Sequence, residues 1–421
     1  MKKSIKPAML GMAIALGITG ASTASAGVAA AAAPTNALAD PDWTYEVPAG
    51  QDIESLFNRA TPSGSNVYFR TEKGASSFVV QAFDRKNGDR KNWTYDLRGN
   101  VQNFISGSLV YAPNGDVYFL SKKAEDKSYT IRAVNAQGKL KWTVPVKVDV
   151  GGDLSVLPNG DIVLTNSVEA TKKAKGYTTF QTFSNDGKLK SEKKTTNSGI
   201  FKMLDNGKVL RNGGDKVQVY SGVNALSKPI LTYKLPEYGF LSIDFSTMNS
   251  AYAVYPLSGG GTLLEFYEQK IEEVKGGGVV ENDPSTLDMK RTLVGFDAKG
   301  KQTFERSLAK DEKALAVGSG FVLQKGQTLE AYDLNNKRTG AATLEGENLR
   351  VMAAPSGEVT VSSKKDGKFY ALDAKTLKAN YEVDMNAGAE RDKGYSFYYA
   401  GKGELYTLEA GEKTVSKYTL K

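Results

Sequence analysis

One short pattern returns along the chain and limits its fold more than any other feature. An apolar or aromatic residue is followed by Asp, Asn or Ser, then a few polar residues with Gly, then a second strand-like run. Phe83-Asp84 leads through Asn87-Gly88 to Trp93-Thr94-Tyr95-Asp96-Leu97, and Val134-Asn135 leads through Gln137-Gly138 to Trp142-Thr143-Val144. The pattern recurs at Phe183-Ser184, Tyr220-Ser221, Phe296-Asp297, Tyr332-Asp333 and Leu372-Asp373. A tight turn feeding a β-rich run precedes these units, as in Pro113-Asn114-Gly115 before Val117-Tyr118-Phe119 and Pro158-Asn159-Gly160 before Ile162-Val163-Leu164. Asn-Gly pairs supply the positive φ angles of short hairpin turns. The runs between them alternate apolar and polar residues, the period of a half-buried strand.

Each unit therefore reads as three or four antiparallel strands, repeating every ~45 residues, the period of a propeller blade. One such sheet cannot bury both its faces, so blades must stack on one another. The expected fold is all-β: an eight-bladed β-propeller of four-stranded antiparallel blades, with seven blades as the alternative count. The last unit, containing Phe397-Tyr398-Tyr399, Leu405-Tyr406-Thr407 and Val415-Ser416-Lys417-Tyr418, stops without an outermost strand. Trp43-Thr44-Tyr45-Glu46-Val47 closely matches the outer strand of the first unit. This N-terminal strand is expected to join the last blade, closing the ring and covering an exposed edge.

The chain has 421 residues with no cysteine and no histidine. Disulfides, thiol nucleophiles, thiolate metal sites and every histidine-based triad or zinc motif are thereby excluded. Net charge is +8. No long Lys/Arg block is present, so nucleic acid is not an expected partner. Residues 1–26 have the form of a cleaved secretory signal: Lys2, Lys3 and Lys6, an apolar stretch from Ala8 to Gly20, and a small-residue site ending Ala24-Ser25-Ala26. Residues 27–41 read as an Ala-rich flexible leader, and 42–421 as a single propeller domain. No stretch is long enough to be an expected membrane span, and without cysteine no lipobox anchor exists. The expected location is extracellular or in the cell envelope.

The runs Ala82-Phe83-Asp84…Gly88…Trp93 and Ala133-Val134-Asn135…Gly138-Lys139…Trp142, with Ala371-Leu372-Asp373, resemble the pyrroloquinoline-quinone-like repeat family. The resemblance covers residues 42–421, with degenerate individual repeats. It implies eight blades, with tryptophans docking one blade onto the next, here Trp43, Trp93 and Trp142. The family includes quinone-dependent dehydrogenases and non-catalytic assembly factors, so fold alone does not choose between them. The dehydrogenases stack their cofactor on a tryptophan and hold calcium with carboxylates. Here all three tryptophans fall on outer strands. Asp84, Asp297, Asp333 and Asp373 fall at the turn position, where side chains bond turn backbone. No cofactor, metal site or catalytic residue is expected.

The fifth unit breaks the period. Residues 258–290 separate Tyr252-Ala253-Val254-Tyr255 from Thr292-Leu293-Val294-Gly295-Phe296 and read as an insertion. Long loops in compact folds are commonly functional, which makes Glu272, Glu273, Glu281, Asp283 and Asp288 a candidate binding loop. Their spacing matches no calcium loop. Longer polar loops at 122–128 and 167–176 decorate the second and third units. The expected function is a monomeric, non-catalytic scaffold for a protein or surface polymer. The alternative is an extracellular enzyme on a polysaccharide or small molecule, which needs carboxylates converging at the ring axis.

Overall fold

The computed structural model describes residues 40–421 apart from 47–60, 73–77, 89–92, 97–108, 123–127, 149, 169, 173, 197–198, 214–215, 236–251, 269–289, 387–393 and 410–413. The described chain forms eight four-stranded sheets, seven of them built from consecutive strands. Blade 1 runs from Thr61–Ser63 to Trp93–Asp96, blade 2 from Leu109–Tyr111 to Leu140–Val146, and blade 3 from Val150–Val156 to Leu189–Thr195. Blade 4 runs from Ile200–Met203 to Leu231–Lys234, and blade 5 from Tyr252–Pro256 to Gln302–Leu308. Blade 6 runs from Glu312–Val317 to Arg338–Thr343, and blade 7 from Arg350–Ala353 to Ala379–Asp384. Every pairing within them is antiparallel, and no described helix is long and apolar enough to cross a membrane.

Blade 8 takes its strands from both ends of the chain. Tyr395–Gly401, Glu404–Glu409 and Thr414–Thr419 come from the C-terminus, and Trp43–Glu46 adds the fourth. Its register is Trp43 opposite Lys417, Thr44 opposite Ser416, Tyr45 opposite Val415 and Glu46 opposite Thr414. Asp42 reinforces the pairing: its carboxylate accepts from Lys417 Nζ at 2.7 Å and Thr419 Oγ1 at 2.6 Å.

Successive side chains on a strand point to opposite faces, so each sheet feeds two apolar layers. Val67 packs toward blade 8 with Trp43, Phe83 and Tyr406, while its neighbour Tyr68 packs toward blade 2 with Val117 and Phe119. Eight such clusters occupy the seams between neighbouring blades. An open stack of eight sheets has one seam fewer than sheets. The cluster joining blade 8 to blade 1 therefore closes the ring, and the fold is an eight-bladed β-propeller.

In blade 5 the excess length lies later than the turn at Ser258. Leu257-Ser258-Gly259-Gly260-Gly261 is the same tight turn that blades 2 and 3 make at their glycines, with Gly260 N donating to Leu257 O. Thr262–Glu268 is the regular second strand, paired residue for residue with Tyr252–Pro256 and Lys290–Phe296. The remainder of the expected insertion, 269–289, lies outside the described residues.

Candidate functional site

The outer strands dock through one repeated position. The Trp43 indole lies nearly parallel to Phe83 of blade 1, with centroids 6.3 Å apart, and its Nε1 donates to Arg85 O. Trp142 of blade 2 donates from Nε1 to Asn185 O in blade 3 at 2.9 Å, with its ring over Gly187. Blade 5 places Phe304 there, stacked on Phe321 of blade 6 with centroids 5.1 Å apart. Blade 7 uses Tyr381 against Tyr399 of blade 8. Blade 6 has Gly340, whose backbone lies directly against Thr376 of blade 7. Trp93 begins the last strand of blade 1, and its side chain lies outside the described residues.

The turn aspartates are engaged by backbone. Asp297 Oδ1 accepts from Lys299 N and Lys301 N, both at 2.9 Å, and Asp333 Oδ1 accepts from Asn335 N and Lys337 N at the same distance. Asp84 and Asp373 do likewise in their own turns. Among the described residues the indoles of Trp43 and Trp142 are thus engaged by turns, and these four carboxylates by their own turn backbone. Among the described residues no group of three or more acidic side chains is placed to hold a metal.

The first strand of each blade is innermost, with Leu109–Tyr111 against Val150–Val156 and Glu312–Val317 against Arg350–Ala353. Two carboxylates occur on the described inner strands. Asp153 is half-buried, and burial raises its pKa against the opposing pull of Lys202 on blade 4. Glu312 is spent on Ala309 N at 2.8 Å and on Arg306 at 3.7 Å. These two do not supply the free pair that carboxylate-based hydrolysis requires.

Strand alternation sorts the connections onto two ends of the ring. Turns between first and second strands, and between third and fourth, lie at one end. Those between second and third strands, and between blades, lie at the other. The first end is tiled by tight turns that touch across blades: Tyr68 OH donates to Gly115 O, and Asn66 Nδ2 donates to Ala136 O at 2.9 Å. Its fully described long connection is residues 221–230 of blade 4, which carries a 3-10 turn, Val223–Ala225, and helps to line a cavity of about 360 Å³ with Leu157 and Pro158.

The other end is the loop end. Residues 122–128, 169–176 and 269–289 all connect a second strand to a third, and the described strand ends that flank them lie there. A cavity of about 460 Å³ opens at this end between blades 6 and 7, lined among others by Gln327, Glu345, Glu347, Asp366, Lys368 and Asp384. Asp366 is held below the usual carboxylate range by a backbone bond from Glu347 N at 2.6 Å and by Ser363 Oγ at 2.7 Å. Lys368 donates to Glu345, which raises the lysine pKa and lowers that of the glutamate. The cavity wall is thus pre-ordered and rich in acceptors, suited to amine or hydroxyl groups. Glu272, Glu273, Glu281, Asp283 and Asp288 lie outside the described residues. The acceptor-rich wall has no local signature, because its members come from separate connections and strand ends of blades 6 and 7.

No protein-family model matches the sequence, and no curated protein matches it. Several solved structures are similar in fold. The Dos1 propeller covers 90% of this chain and 94% of its own at 10% identity, with a TM-score of 0.45. The uncharacterized protein lmo1340 from Listeria monocytogenes EGD-e covers 83% and 98% at 11% identity, with a TM-score of 0.45. Hsv2 from Kluyvelomyces marxianus covers 76% and 95% at 11% identity, with a TM-score of 0.41. The propeller assignment itself rests on strand order, register and the eight seams.

Proposed function

We propose that the chain is an exported, non-catalytic binding scaffold, secreted or retained in the cell envelope after loss of residues 1–26. It engages a protein or a surface polymer through its loop end. The observation that carries this reading is the one-sided elaboration of the ring. The long connections of blades 2, 3 and 5 join strand ends at the end that holds the acceptor-rich cavity, whereas the described turns of the other end are mostly tight. Binding segments are commonly loops held on a rigid scaffold. The indole-over-glycine contacts at Trp43 and Trp142 support reading the blades as quinone-type repeats used structurally.

Cross-linking on producing cells tests the proposal, with attachment points mapped to residue. Partner cross-links should concentrate on Lys172, Lys175 and Lys313, at or near the loop end. A variant in which 269–289 is replaced by a short turn should unfold at the same temperature and lose that partner. Retained capture by the shortened variant, or turnover of a polysaccharide by the purified protein, would overturn the reading.

A further inference from the structure

The turn end carries a feature that the binding reading leaves unused. In four of the turns joining third to fourth strands, the last residue is a lysine whose backbone N–H is consumed by the first residue of the turn. Lys139 N donates to Asn135 Oδ1 at 2.8 Å, Lys188 N to Ser184 Oγ at 3.2 Å, and Lys301 N and Lys337 N to Asp297 and Asp333 at 2.9 Å. The four lysines are exposed on these turns between the third and fourth strands of their blades. Lys86, Lys139, Lys228, Lys301, Lys337 and Lys378 stand on these connections in blades 1, 2, 4, 5, 6 and 7. All six are exposed, and none makes an ion pair among the described residues.

Several of the carboxylates nearby are already engaged, while Asp205 stands exposed in the first turn of blade 4. Asp84, Asp297, Asp333 and Asp373 face inward onto their own turn backbone, as described above. Asp116 and Asp161 are taken by Lys141 at 2.5 Å and Lys190 at 2.6 Å, and Glu404 by Arg85. Lys188 is the exception, paired with Asp186 at 3.0 Å. Directly after Lys139 and Lys188 stand Leu140 and Leu189, each 55% exposed, at equivalent places on neighbouring blades.

We propose that the rim of the turn end is a peripheral docking surface for an anionic phospholipid bilayer. The unpaired lysines occupy the same level of their blades, so they lie around one plane. A flat anionic surface meets them together, whereas a linear polyanion meets only those along one arc. The two leucines give the same rim apolar tips that can enter the interface between headgroups and acyl chains. The ring then rests on a membrane by its turn end and presents its loop end outward.

The test uses the chain from residue 27, which keeps every described residue, sedimented with phosphatidylcholine vesicles with or without phosphatidylglycerol. Binding should require phosphatidylglycerol and be released by salt. The triple variant Lys139→Gln/Lys301→Gln/Lys337→Gln should partition on the order of a hundredfold more weakly. Leu140→Gln/Leu189→Gln should weaken binding without changing its salt dependence. The loop-end control Lys172→Gln/Lys175→Gln/Lys313→Gln should bind like the parent. Equal binding to neutral vesicles, parental binding by the rim variant, or binding of soluble polyphosphate without vesicle sedimentation would overturn the proposal. The salt series on the parent chain reads out even where a variant folds poorly. Vesicle binding is measured without the partner, and cross-link mapping does not depend on lipid, so either proposal can fail alone.

Discussion

Gly88 leaves no room for a side chain beneath the indole of Trp43: a Cβ at that glycine would lie 2.5 Å from ring atom Cγ. The contact joins blade 8 to blade 1, where the two ends of the chain meet, and Gly88 has a φ of 68°. Gly160 has a φ of 83° with nothing within 4 Å of its own Cβ position. The two glycines thus share backbone strain and differ in the neighbour. Gly88→Ala should cost about 1–3 kcal/mol more than Gly160→Ala, the usual overpacking penalty. Urea midpoints of the two variants measure the difference.

The seam between the chain ends should be acid-sensitive. Burial pushes the Asp42 carboxyl upward, but hydrogen bonds from Lys417 and Thr419 and the charge of Lys417 outweigh it and hold its pKa below the ordinary 3.8. A carboxylate depressed on folding contributes stability above its unfolded pKa and loses it as pH falls through the folded value. Asp42 therefore stabilises the ring at neutral pH and down to about pH 4, and the contribution fades below that. The stability gap between the parent and Asp42→Asn should stay level from pH 7 to about 4 and narrow at lower pH. Chemical denaturation across that series reports it, and a gap that widens in acid would refute it.

Asp116 and Asp161 occupy the same position in neighbouring blades with different exposure of their partners. Asp116 is buried and accepts from Asn114 Nδ2 at 3.1 Å, Tyr118 OH at 3.3 Å and Lys141 Nζ at 2.5 Å, the lysine being 28% exposed. The Lys190 partner of Asp161 is 50% exposed. Removing one member of a buried ion pair costs about 3–5 kcal/mol, against about 1–2 kcal/mol where water reaches the survivor. Asp116→Ala should therefore be the more destabilising of the two, as read from thermal unfolding of each single variant.

Gly340 is the outer-strand residue where other blades carry an aromatic side chain, and its value lies in what it omits. A Cβ there would lie 2.5 Å from the carbonyl carbon and oxygen of Thr376 in blade 7. Thr339 Oγ1 donates to Lys375 O at 2.7 Å in the same seam. Backbone cannot move aside as a side chain can, so Gly340→Ala should cost about 1–3 kcal/mol through forced separation of the blades. Ser191→Ala, at the equivalent position of blade 3, should be within about 0.5 kcal/mol of the parent.

What could be read from the chain follows the range of the forces involved. The turns at Asn114-Gly115 and Asn159-Gly160, the alternating strands after them and the unpaired strand at Trp43 are set by near neighbours along the backbone. Local dihedral preference and side-chain alternation suffice to announce them, while the choice of eight blades over seven came from the eight sheets and their seams. The match of Trp43-Thr44-Tyr45 to Trp93-Thr94-Tyr95 even reported the pairing that sets Trp43 opposite Lys417, because both ends of the ring reuse one motif.

Residues that meet only across a seam or around the ring carry no such local mark. Nothing near Phe304 indicates that Phe321 will lie beneath it, and nothing near Gly340 indicates a backbone 36 residues later. The division into two ends likewise follows from stacking the sheets in a circle. That stacking sets the lysines of separate turns around one plane, and it brings Glu345, Asp366 and Asp384 to one cavity. Packing in three dimensions decided these arrangements, since each depends on distances between blades that no stretch of chain contains.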